Sequence, residues 1–66
     1  MIGDNLRARA IEMVEKLHAE ASTNPESFKT KYADYLWILN ILLEIVQFFV
    51  PGSIKILIES IQQLIN

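Results

Sequence analysis

Apolar residues recur at three- and four-residue steps along most of this chain, which is the spacing of one face of an α-helix. Two interruptions divide the pattern, Ser22-Thr23-Asn24-Pro25 and Pro51-Gly52-Ser53, and each joins an N-cap residue type to a proline or glycine. Apolar and polar residues nowhere alternate strictly enough to predict a half-buried strand. The pattern therefore predicts an all-α chain of three helices, over about residues 4–21, 25–50 and 54–65.

The residues in these two interruptions also predict where the helices start and stop. Asn24 is the expected N-cap of the second helix, because it leaves Pro25 at the first helical position, where proline is favoured. Pro51 should end that helix, since the residue before a proline disfavours helical geometry. Ser53 is the expected N-cap of the third helix.

The first and third helices are predicted to be ordinary amphipathic helices, each with one apolar face. In the first, that face comprises Leu6, Ala10, Met13, Val14, Leu17 and Ala21. In the third, it comprises Ile54, Leu57, Ile58, Ile61, Leu64 and Ile65. Ile56 lies outside this set, and a single exposed isoleucine is common in folded proteins.

The middle helix has more apolar surface than its two neighbours are expected to cover. One broad face, predicted to receive both neighbours, comprises Phe28, Tyr32, Tyr35, Leu39, Leu42, Leu43, Val46, Phe49 and Val50. A second series comprises Trp37, Ile38, Ile41, Ile45 and Phe48. Leaving these five in water would forfeit on the order of 10 kcal/mol. We therefore expect the second series to form the interface of a helical-bundle homo-oligomer, in either parallel or antiparallel sense.

A narrow polar strip, Asn40, Glu44 and Gln47, separates the two apolar series. The expected role of the strip is to fix the register of the interface or to form a partly wet stripe, as single polar residues do in coiled coils. A buried carboxylate at Glu44 is the alternative. The strip also interrupts the apolar run before a membrane-spanning length is reached, and it carries no lysine or arginine for attachment to a membrane surface. A membrane partner is therefore disfavoured, although a membrane-associated protein remains the alternative function.

Length, charge and cysteine content narrow the function further. The chain has 66 residues, which allow one domain, and a net charge of −2, which gives no basic footprint for nucleic acid. It has no cysteine, so disulfides, thiolate zinc sites and cysteine nucleophiles are excluded. Residues 1–5 lack the features of a secretory signal, which predicts a cytoplasmic location.

Two sets of residues are candidates for ligand binding. Glu15 and His18 have the Glu-x-x-His spacing of di-iron carboxylate bundles, with Glu44 as a glutamate from a neighbouring helix. A solvated glutamate and a boundary histidine are the alternative, because one such spacing arises readily in a helical chain with 8 acidic residues. Basic side chains near the ends of the first two helices could form an anion site between subunits, with solvated surface charge as the alternative. These are Arg7, Arg9, Lys29 and Lys31.

The chain lacks a phosphate-binding glycine loop, a nucleophile elbow and a zincin motif, and it has one histidine. We therefore expect no enzymatic activity and no cofactor. The expected function is that of a small self-associating interaction protein: a structural subunit, or an adaptor or inhibitor of another protein. Such a compact chain would suit a viral or mobile-element accessory protein. A metal or anion binder formed between subunits is a further alternative.

Overall fold

The computed structural model describes residues 2–66, which are almost entirely helical. Four α-helices are present in this range, and the predicted all-α class is confirmed. They are α1 (Ile2–Thr23), α2 (Pro25–Lys31), α3 (Leu36–Val46) and α4 (Gly52–Ile65). Short 3₁₀ turns at Ala33–Tyr35 and Gln47–Phe49 flank α3.

The prediction of one continuous helix over residues 25–50 is wrong, because the chain bends at Tyr32. Residues Pro25–Lys31 and Ala33–Phe49 are inclined by 66°. The Tyr32 ring contacts Phe28, with 4.9 Å between ring centroids, and its hydroxyl donates to Glu20 of α1 at 3.3 Å. These contacts hold α2 against α1, while the bend turns α3 onto α4. A straight helix of this length, about 39 Å, could not make both contacts.

The predicted start of the second helix is confirmed. The Asn24 Oδ1 atom accepts a hydrogen bond from the Ser27 N–H at 3.1 Å, and Pro25 takes the first helical position. The prediction of Ser53 as N-cap is wrong, because α4 begins two residues earlier than expected, at Gly52, with Pro51 as its N-cap. Pro51 is extended there, and its carbonyl accepts from the Ile54 N–H at 2.9 Å, which places Ser53 inside the first turn.

The core is built around α4 rather than around the middle of the chain. α4 makes the most extensive contact with α1 and also packs against α3. The face of the middle segment that packs against the other helices is therefore much narrower than we predicted. Its members Tyr35, Leu42 and Phe49 are exposed. The buried core comprises Val14, Leu17, Ala21, Phe28, Leu39, Leu43, Val50, Ile54, Ile58 and Ile61.

The cap at Asn24 gives a first testable prediction. Asn24→Ala is expected to lower the free energy of unfolding by about 1 kcal/mol, because the Ser27 N–H loses its acceptor. Urea denaturation followed by circular dichroism measures this change. Asn24→Asp keeps an acceptor oxygen and should cost much less. Equal losses for the two variants would show that the cap is not responsible.

Candidate interaction surface

A continuous row of large apolar side chains lies exposed along α3 and the 3₁₀ turn that follows it. We call this row the α3 apolar face. Phe48 is 81% exposed and Trp37 is 66% exposed, although both are large aromatic residues. The full set comprises Trp37, Ile38, Ile41, Leu42, Ile45, Phe48 and Phe49. All five residues of the predicted interface are therefore exposed together on one side of the molecule.

The width of this face follows from the way α3 packs. At about 100° per residue, the five members within α3 span an arc of about 140° around the helix. Within α3 itself, Leu39 and Leu43 are buried. Because α3 packs mainly against α4, one side of the helix is covered and the opposite side faces solvent.

Leu42 and Phe49 belong to the exposed face, although their spacing assigned them to the core. Both are 46% exposed. On the helical wheel, Leu42 lies between exposed Ile38 and partly buried Val46. Periodicity cannot decide which side such a position joins, because that depends on how closely the neighbouring helices approach.

The polar strip borders the α3 apolar face and connects α3 to α4. Glu44 is exposed in the single chain, so the fold of one copy does not bury its carboxylate, and burial between copies stays a prediction. Its Oε2 atom accepts from Gln47 Nε2 at 3.1 Å, and its Oε1 atom accepts from Gln62 Nε2 of α4 at 3.0 Å. The third member, Asn40, has a buried Oδ1 atom without a hydrogen-bond partner among the described residues.

Each end of the α3 apolar face lies beside a terminus of another helix. At the start of α3, Trp37 and Ile41 line a groove together with Ile65 of α4. At its far end, Phe48 and Phe49 line a depression with Arg7 of α1. The chain thus runs up, down and up through α1, α3 and α4, and the start of α1 lies beside the end of α3.

The metal candidates are not brought together. Glu15 and His18 lie on α1, where the His18 Nε2 atom is 3.4 Å from the Ser22 hydroxyl oxygen. Glu44 lies on α3 and is engaged by two amides. Within residues 2–66, no group of three or more His, Cys, Asp or Glu side chains is placed to hold a metal ion.

The anion candidates are also separated within the chain. The Lys31 Nζ atom lies 3.6 Å from Glu20 Oε2 and 5.4 Å from the Tyr32 ring centroid, near the end of α1. Arg7 lies near the start of α1, about 20 Å away along the helix. Arg9 and Lys29 are exposed on α1 and α2. An anion site between subunits stays a prediction.

In the part of the chain that the structure describes, no single helix has the length and apolar character to cross a membrane. Together, the two parts of the bent pair Pro25–Lys31 and Ala33–Phe49 do reach that length and apolar character.

No known protein family matches the chain, and neither a curated protein nor a solved structure shows significant similarity to it.

Proposed function

We propose that this protein is a small, non-catalytic interaction protein that self-associates through the α3 apolar face into a helical-bundle homo-oligomer. The observation that supports this proposal is the exposure of seven large apolar side chains along α3 and the 3₁₀ turn that follows it. Water-exposed apolar surface of this extent marks interaction sites in soluble proteins.

The size and composition of the face fit a protein interface. Scaled by their exposed fractions, its side chains present on the order of 700 Å². The largest apolar patch of a typical monomer covers about 300–600 Å², whereas a stable complex buries about 800 Å² on each partner. Trp37, Phe48 and Phe49 also supply the aromatic anchors that are enriched at interfaces.

Self-association would leave the charged outer side of α1 exposed. Arg9, Glu12, Glu15 and Lys16 lie together on that side. In an adaptor or inhibitor, this surface would contact the other protein, while the α3 apolar face joins the copies. A structural subunit would need the α3 apolar face alone. The proposal requires no cofactor in either case.

Attachment to a membrane surface is the competing function, and the same exposed face favours it. An interfacial helix usually carries lysine or arginine beside its apolar side. α3 contains no basic residue, Glu44 borders its apolar face, and Arg7 of α1 lies beside one end of that face only. This distribution of charge favours a second copy of the chain over an anionic lipid surface.

Sedimentation equilibrium over a wide concentration range tests the proposal. The wild-type chain is expected to show a mass of at least twice 7.6 kDa, falling only on dilution. Binding to anionic and neutral vesicles should be weak at concentrations where the oligomer forms. A monomer at high concentration that sediments with vesicles would replace self-association by membrane attachment. A wild-type chain that stays monomeric at high concentration and does not bind vesicles would contradict both functions.

A further inference from the structure

We infer that the second copy binds the α3 apolar face in antiparallel orientation, and that Asp34 of each copy then faces Arg7 of the other. This inference rests on the proposed self-association and specifies its geometry. The charges at the two ends of the face support it, and the order of aromatic and isoleucine side chains along the face is compatible with it.

The α3 apolar face has an aromatic residue at each end and isoleucines between them. Trp37 lies at its start, Phe48 lies near its end, and Ile41 and Ile45 occupy the middle. An antiparallel pair with its two-fold axis between Ile41 and Ile45 sets each Trp37 near the Phe48 of the other copy. The two rings then pack edge-to-face or offset, which aromatic pairs prefer. The isoleucines of the two copies meet at the centre.

Opposite charges lie at the two ends of the same face. Asp34 is exposed in the 3₁₀ turn before α3, three residues before Trp37 and four before Ile38. Arg7 lies beside Phe48 and Phe49 at the other end. Neither side chain forms an ion pair with another described residue; the ion pair found in this range joins Lys31 to Glu20.

The antiparallel pair brings opposite charges together, whereas the parallel pair brings like charges together. When Trp37 is level with Phe48 of the other copy, Asp34, which precedes Trp37 by three residues, extends past that Phe48 toward the turn at Val50 and Pro51 where the face ends. Pro51 lines the same depression as Arg7, so the carboxylate meets a guanidinium at both ends of the dimer. In a parallel pair, the two Asp34 carboxylates would lie at one end and the two Arg7 guanidinium groups at the other. Antiparallel α3 helices also align their dipoles favourably.

Neutralising Asp34 distinguishes the two orientations by the sign of its effect. Asp34→Asn is expected to weaken the dimer about 2- to 10-fold. The dimer has a two-fold axis, so one substitution removes two ion pairs. In a parallel dimer it would remove a repulsion and strengthen association. Glu12→Gln makes the same change of charge on the outer side of α1 and should leave the affinity unchanged. Sedimentation at low salt measures the affinity between copies for the wild type and both variants. The loss of affinity in Asp34→Asn should be smaller at high salt, because salt screens the ion pairs.

Disulfide trapping provides a second readout, since the chain contains no cysteine. The single variants Trp37→Cys and Phe48→Cys are oxidised alone and as a mixture, and mass spectrometry separates the products. The antiparallel dimer brings the two different positions within disulfide distance, so the mixed disulfide should predominate. Predominant homodisulfides, or an Asp34→Asn dimer as tight as the wild type, would overturn the orientation. Self-association would still stand in that case, whereas a monomeric wild type would remove the proposed function itself.

Discussion

Ile45→Asp is expected to convert the oligomer into monomers that remain helical. Ile45 is 51% exposed within one chain, so a carboxylate there can stay hydrated and the fold loses little. In the oligomer the same carboxylate would be removed from water without a partner, which costs several kcal/mol. We expect the dissociation constant to rise at least about 100-fold. Sedimentation gives the mass, and circular dichroism gives the helix content; Ile41→Asp should behave in the same way.

The matched control for this variant is Ile56→Asp. Ile56 is also an exposed isoleucine, at 63%, but it lies on α4, outside the α3 apolar face. Its replacement should leave the mass of the oligomer unchanged. An assembled Ile45→Asp protein, or equal dissociation by both variants, would show that the copies do not meet on α3.

Phe28→Ala is expected to remove about half of the free energy of unfolding or more, and it is the largest effect on stability that we predict. Phe28 is 2% exposed in the core between α1 and α2, and its ring contacts Tyr32 at the bend. Removing a buried phenylalanine costs about 3–5 kcal/mol. The whole stability of a domain of this size is about 3–10 kcal/mol. Thermal and urea unfolding, followed by circular dichroism, measure the loss.

Phe48→Ala makes the same substitution at an exposed phenylalanine and should give the opposite pattern. Phe48 is outside the core, so the stability of the dilute monomer should barely change, whereas the affinity between copies should fall. Measurements at low concentration are needed, because self-association also stabilises the fold by mass action. If Phe28→Ala left the unfolding midpoint unchanged, the packing of α2 on α1 would be wrong.

The sequence predicted one helix cap and two apolar faces, because these depend on neighbouring residues, whereas the cap predicted at Ser53 was wrong. The cap at Asn24 and the buried residues of α1 and α4 follow from chemistry within one or two turns, although Leu6, expected on the apolar face of α1, is 55% exposed. The bend at Tyr32 does not follow from such chemistry, since no proline or glycine lies between Glu26 and Val50. The contacts that accompany the bend are long-range, since Tyr32 donates to Glu20, which lies 12 residues earlier in the chain.

The candidate interaction surface shows the same division between local and long-range information. The spacing of Trp37, Ile41 and Ile45 placed them on one face, and that face is exposed. The exposure of Leu42 was not predictable, because it depends on α3 packing mainly on α4. The link from Glu44 to Gln62 also joins residues 18 positions apart, beyond the reach of helical periodicity.

The central position of α4 has a consequence for synthesis of the protein. α1 ends at Thr23 and its main packing partner begins at Gly52, so the core closes only after α4 has left the ribosome. Until then Leu39 and Leu43 are uncovered as well, and α3 presents apolar residues on two opposite sides. Nascent chains at this stage expose apolar surface that the folded chain covers, which makes them prone to aggregation.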